Sequence, residues 1–135
     1  MQKRLEISLL LLRLGVFVVM AVWTLDKFVN PAHAAAIFEK FYAIPGAGSA
    51  LIWTLAALEV LVLLAFLAGL YKRFSYGAVL LLHGVSTLSA FQKYLAPFDG
   101  SNLLFFAAWP MFAACVALFL LRDQDTLFNL GGRRD

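Results

Sequence analysis

The sequence predicts an all-α integral membrane protein, a four-helix bundle with a short amphipathic extracytoplasmic helix between helices 1 and 2. Three observations carry this expectation. Of the 135 residues, 63% are hydrophobic and only 14% are charged, whereas soluble domains carry roughly a quarter charged residues. Four apolar stretches reach the length of about 20 residues that the hydrocarbon core demands. The links after the second and third stretches are so short that their neighbours must run antiparallel.

Span 1 covers about residues 5–29. Basic residues lead it and "AHA" at 32–34 resembles a signal-peptidase site, but Arg13 interrupts the apolar run and Asp26 and Lys27 close it. A retained helix is therefore expected. Asn30 can cap, and Pro31 can open, an interfacial helix over about residues 31–42. There Ile37, Phe38, Phe41 and Tyr42 recur on one face while Glu39 and Lys40 turn away, which fits a lipid anchor and a lid over the bundle mouth equally. After "GAGS", span 2 covers about residues 48–70 and contains a single carboxylate, Glu59. "YKRFS" leads into span 3, about 74–96, and "APFDGSN" supplies turn formers before span 4, about 102–121. Pro110 frees the carbonyl of Phe106 and should kink span 4. Trp109 is deep for an interfacial belt and either packs or borders a cavity. The segment from Arg122 onward reads as a short polar cytoplasmic extension of one membrane domain, residues 1–135.

With four spans both termini lie on one side. That side holds Lys3, Arg4, Lys72, Arg73, Arg122, Arg133 and Arg134, against Lys27, Lys40 and Lys93 on the other. The positive-inside bias then places both termini in the cytoplasm of a cell whose inner membrane the chain crosses. The net charge of +3 is small and scattered, so nucleic acid is an unsuitable partner. The single cysteine, Cys115, excludes an intrachain disulfide or a cysteine-pair metal site, and no metal is expected. A small buried apolar residue is its simplest role.

Three ionisable residues interrupt the apolar interior: Arg13 in span 1, Glu59 near the middle of span 2 and His83 near the middle of span 3. A charge at the centre of a spanning helix costs about 2.5–3.5 kcal/mol on insertion scales, so such groups face inward and pair. The economical arrangement is one cluster of Arg13, Glu59 and His83. At 100° per residue, Arg13, Met20, Thr24 and Lys27 share a narrow stripe of span 1, and Tyr76, His83, Thr87, Ala90 and Tyr94 share one of span 3. The two stripes predict a cavity in the outer half of the membrane lined by Met20, Trp23, Thr24, Glu59, His83 and Thr87, with Lys27 and Lys93 at its mouth. Such a cavity suits a ring-headed amphiphile such as a quinone. The same groups serve equally as hydrogen-bonding glue between helices. "DKFVNP" at 26–31 and "QKYLAP" at 92–97 form a faint repeat that sets Lys27 and Lys93 at matching ends of two parallel halves.

"LLLRLGVFVV" and "LDKFVNP" around span 1, "LAALEVLVLLAFLAGLYKR" in span 2, and the four-span layout resemble the DoxX-like family of small membrane proteins. The resemblance covers residues 9–96, with span 4 alike only in hydrophobicity. It implies an association with membrane redox chemistry, since some relatives are subunits of thiosulfate:quinone oxidoreductase and others assist oxidative-stress assemblies. It carries over to Arg13, Lys27, Pro31 and Glu59, whereas His83 and Cys115 stand outside its pattern. The expectation is a quinone-linked accessory subunit that binds a small amphiphile and works with a partner redox protein or a second copy. It is at most a subunit of an oxidoreductase, with no intrinsic cofactor. The alternatives are a scaffold or assembly factor without chemistry, and a proton-coupled carrier using Glu59 and His83 as relays.

Overall fold

The computed structural model describes residues 1–42 and 48–130, and within these also leaves the side chains of Phe38, Phe41, Tyr42 and Ser49 undescribed. The apolar face expected from Phe38, Phe41 and Tyr42, the "GAGS" restart up to Ala47 and the basic residues Arg133 and Arg134 therefore lie outside the described residues. What is described is helical, without a strand.

Helix α1 runs Gln2–Val29, α2 Pro31–Tyr42, α3 Ser49–Ala68, α4 Lys72–Ser89, α5 Phe91–Leu95, α6 Asn102–Phe105 and α7 Ala108–Leu120, followed by one 3₁₀ turn, Arg122–Gln124. The four long helices close a ring in which α1 and α4 each pack between α3 and α7. Among the described residues three helical stretches are long and apolar enough to cross a membrane: α1, α3 and residues 102–120. They mark the chain as a membrane protein, and their outward faces are apolar, with Leu11, Val18, Leu58, Leu61 and Leu104 all exposed. Helix α4 is not among the three. It opens with Lys72 and Arg73 and carries His83, Ser86, Thr87 and Ser89, so it is amphipathic rather than apolar throughout.

Local chemistry accounts for the element boundaries. Pro31 opens α2, as expected, because its missing N–H would have no helical partner in that position. Gly69 ends α3 with φ +68, and Gly69 N–H and Leu70 N–H reach back to Phe66 O at 3.1 Å and Ala65 O at 2.9 Å. This is the left-handed termination that glycine adopts without steric cost. The expected single span 3 instead breaks at Ala90 into α4 and α5. Span 4 is interrupted at residues 106–107, one turn before Pro110. Proline has no N–H to offer Phe106 O, and that carbonyl accepts from Trp109 N at 3.1 Å instead, tightening the chain locally.

The two ends of the bundle differ. At the terminal end, Gln2 Nε2 donates to Gln124 Oε1 at 2.7 Å and Thr126 Oγ1 to Glu6 Oε1 at 3.1 Å, so the first turns of α1 lie along the tail. At the loop end, α2 packs on α1 and α3, with buried Ala34 against buried Ile52. Between them lies a core of Leu9, Val16, Leu63, Phe66, Val79 and Leu118 among others, with Cys115 buried in it. Gly77 and Gly84 let α4 and α7 approach closely. A Cβ at either would lie 3.3 Å from the Phe119 ring or 3.2 Å from the Phe112 ring.

Candidate functional site

The interior polar residues form three separate groups rather than one cluster. The expected approach of Arg13 to Glu59 and His83 does not occur, and the reason is depth. The first turns of α1 pack along the tail, and Arg13 meets that tail at the terminal end. The first turns of α3 are occupied by α2, which sets Glu59 level with the last turns of α1.

At the terminal end, Arg13 is 1% exposed and Asp125 fully buried, with Arg13 Nη1 3.1 Å from Asp125 Oδ1. Arg13 Nη2 donates to Leu127 O at 2.6 Å and Phe128 O at 3.0 Å. Tyr76 Oη donates to Asp125 Oδ2 at 2.5 Å and lies 3.4 Å from Arg13 Nη1. Lys72, also fully buried, donates to Asp125 O at 2.5 Å and Arg122 O at 3.1 Å. Leu130 N–H completes the attachment on Ala68 O at 2.7 Å. Residues 122–130 are thus a plug bound to α1, α3 and α4, not the polar extension expected. Its anchors Asp125, Lys72 and Tyr76 escape sequence reasoning as partners of Arg13, since a polar tail after the last span reads as solvated. Only the place of Tyr76 on the polar stripe of α4 hinted at an interior role.

The second group lies between α1 and α3. Lys27 Nζ donates to both oxygens of Glu59, at 2.6 and 2.8 Å, and Thr24 Oγ1 stands 3.0 Å from Glu59 Oε2 and 2.8 Å from Met20 O. Lys27 and Glu59 are 20% and 17% exposed. Lys27 is thereby occupied within the chain, although it was expected at the mouth of a cavity. Beside the group, Phe17, Ala21, Leu25, Val60 and Leu64 wall a lateral slot of about 160 Å³ that Thr24 also borders.

His83 forms the third group. Its Nε2 is 3.1 Å from Ala108 O, which requires the proton on that nitrogen, and Nδ1 is buried without a hydrogen-bond partner. The Trp23 ring stacks on the imidazole at 5.9 Å. Thr87 Oγ1 bonds back to His83 O at 2.7 Å. Met20, Thr24, His83 and Thr87 are all buried and Trp23 is half exposed, so the residues expected to line one outer cavity are packed among neighbouring side chains. Two clefts among the described residues open on the surface, and neither is lined by His83 or Glu59.

Lys93, the other residue expected at the mouth, sits on α5 with its ammonium 5.5 Å from the Phe105 ring centroid. It also meets Lys40 of α2. A hydrogen bond between two lysine amines requires one to be neutral, which lowers the Lys93 pKa, with desolvation adding in the same direction. Nearby, His33 Nδ1 lies 2.6 Å from Asp26 Oδ2 on the exposed surface. Among the described residues no three His, Cys, Asp or Glu side chains are gathered as a metal site.

The chain matches no protein-family model, no curated protein and no solved structure with which it was compared.

Proposed function

We propose that this protein is an accessory membrane subunit of the DoxX-like type that organises a partner redox protein and carries no reaction of its own. In this reading α4 is the fourth span, both termini face the cytoplasm across the inner membrane, and α2 lies on the extracytoplasmic surface. One observation supports it most. The two interior charges that most resemble a functional site are consumed by partners within the chain, Arg13 by Asp125 and Glu59 by Lys27. One pair ties the tail to α1 and the other ties α1 to α3, which suits a structural role for these charges. The proton-relay reading draws no support, since Glu59 and His83 have separate partners.

A second reading, an amphiphile-binding redox subunit, is favoured by the lateral slot between α1 and α3. Its walls are apolar, and one of its edges is Thr24, which also touches Glu59. An isoprenoid or acyl chain in the slot would hold a polar ring, a quinone for example, against that edge.

Affinity purification from native membranes separates the two, with bound proteins identified and bound quinone quantified against the surrounding membrane. The accessory reading expects a protein partner in fixed ratio and quinone at the bulk level. The second expects quinone in fixed ratio, lost in a Leu64→Trp variant whose indole fills the slot. A monodisperse chain with neither overturns both.

A further inference from the structure

A cleft of about 360 Å³ opens where α4 begins and α7 ends, lined by Tyr71, Arg73, Phe74, Arg122 and Asp123. Its size is in the range of about 300–1,000 Å³ typical of small-molecule sites. It lies at the terminal end, where the apolar outer surface gives way to charge. Tyr71 and Phe74, 65% and 76% exposed, form its rim. Tyrosine is enriched at head-group depth in membranes, where its ring meets the apolar region and its hydroxyl meets water.

Two guanidinium groups share the cleft. Arg122 is held in place: its Nη1 donates to Phe119 O at 2.7 Å and its plane lies over the Phe119 ring at 4.5 Å. That leaves most of its five N–H donors for another acceptor. Arg73 makes no hydrogen bond or ion pair among the described residues. Asp123 also lines the cleft, exposed and outside every ion pair among the described residues. Two cations and one anion lining a cleft on the membrane rim, without closing on each other, match a ligand that carries both signs.

We propose that this cleft binds the head group of an aminophospholipid, with the phosphate between Arg73 and Arg122 and the primary ammonium on Asp123. Guanidinium groups bind phosphate oxygens through paired, charge-assisted hydrogen bonds. A primary ammonium offers three donors to the carboxylate, whereas a choline head offers none and a glycerol head leaves Asp123 without a cation. The acyl chains continue from the cleft onto the apolar outer faces of α4 and α7.

Native mass spectrometry of the full chain tests this in detergent supplied with phosphatidylethanolamine, phosphatidylglycerol or phosphatidylcholine of matched acyl chains. Wild type retains phosphatidylethanolamine in preference to the other two. Arg73→Gln lowers that retention about fivefold, the effect of one basic residue near a membrane surface, and leaves the thermal melt unchanged. Asp123→Asn keeps overall lipid binding and brings the ethanolamine and glycerol lipids to parity. Soluble phosphorylethanolamine at equal concentration binds far more weakly than the lipid. Equal retention of all three lipids, an unchanged Arg73→Gln variant or a preference for phosphatidylglycerol overturns the proposal. Equal binding of soluble phosphorylethanolamine overturns the lipid as the natural occupant. Arg122→Gln also removes the bond to Phe119 O, so Arg73→Gln, which disturbs no described contact, carries the decision.

Discussion

Replacing Asp125 by alanine should be the most damaging single change to a charged residue in the protein. The substitution leaves the Arg13 guanidinium, 1% exposed, without its carboxylate and takes from Tyr76 its 2.5 Å acceptor. Removing one member of a buried ion pair costs about 3–5 kcal/mol. Arg13 keeps Leu127 O and Phe128 O, at 2.6 and 3.0 Å, as acceptors, so the lower figure applies here, about 3 kcal/mol. For a chain of this length that corresponds to a fall in melting temperature of about 10 °C. The assay is thermal unfolding in detergent, read by loss of the monodisperse peak in size-exclusion chromatography. The double variant Arg13→Met, Asp125→Leu replaces both charges with apolar groups of similar volume and should recover most of the loss, because no buried charge is then left alone. Equal melting temperatures for Asp125→Ala and wild type would refute the reasoning. So would a double variant that sums the two single losses, since independent sites add and a true pair does not.

Four further outcomes follow from the same geometry. Gly69→Ala should release the tail, because the new Cβ would fall 2.3 Å from Asn129 Cβ at a backbone φ of +68; trypsin cleavage after Arg122 should accelerate relative to wild type. Glu59→Gln should lower stability by only about 1 kcal/mol, since a partly exposed lysine can extend its stem toward water, so its melting temperature should stay above that of Asp125→Ala. In a Cys115→Ser background, single cysteines at Ala36 and Lys3 should react from opposite sides of the membrane, with position 36 labelled by an impermeant reagent in intact cells; the reverse pattern overturns the charge-bias orientation. Pro110→Ala should restore a continuous helix across residues 105–108, seen as slower amide exchange at Phe106 and Ala107, and unchanged exchange would remove proline as the cause of the interruption.

Much of the fold was legible because it follows from local rules. The bounds expected for the interfacial helix, 31–42, coincide with α2, Pro31–Tyr42, since proline and amphipathic spacing act over a few residues. Span 2 ends two residues early only because Gly69, read as interior, takes the left-handed conformation. The interruption of span 4 was legible in Pro110. Span 3 was less so: α4 starts at Lys72, two residues before the expected span, and Lys72, Arg73, His83, Ser and Thr make it amphipathic, while its break at Ala90 has no proline or glycine to announce it. The candidate site was legible as a set of inward residues and not as a set of contacts. Helical phase correctly turned Arg13, Met20, Thr24, His83 and Thr87 inward, and all five are buried. Phase states a direction but says nothing of what lies there.

The sequence by itself determined the solvent and the faces. Hydropathy summed along a helix is a local quantity that the bilayer reads directly; four stretches were expected to cross, and among the described residues three helices are long and apolar enough to do so. Only the tertiary structure decided who pairs with whom. Relative depth depends on how far one helix overhangs another, and that is set by packing between segments remote in the chain. The tail against the first turns of α1 gave Arg13 to Asp125, and α2 against the first turns of α3 gave Glu59 to Lys27. Long basic stems then bridge whatever offset remains, because a charge inside an apolar bundle is tolerated only where an opposite charge or a carbonyl comes within reach.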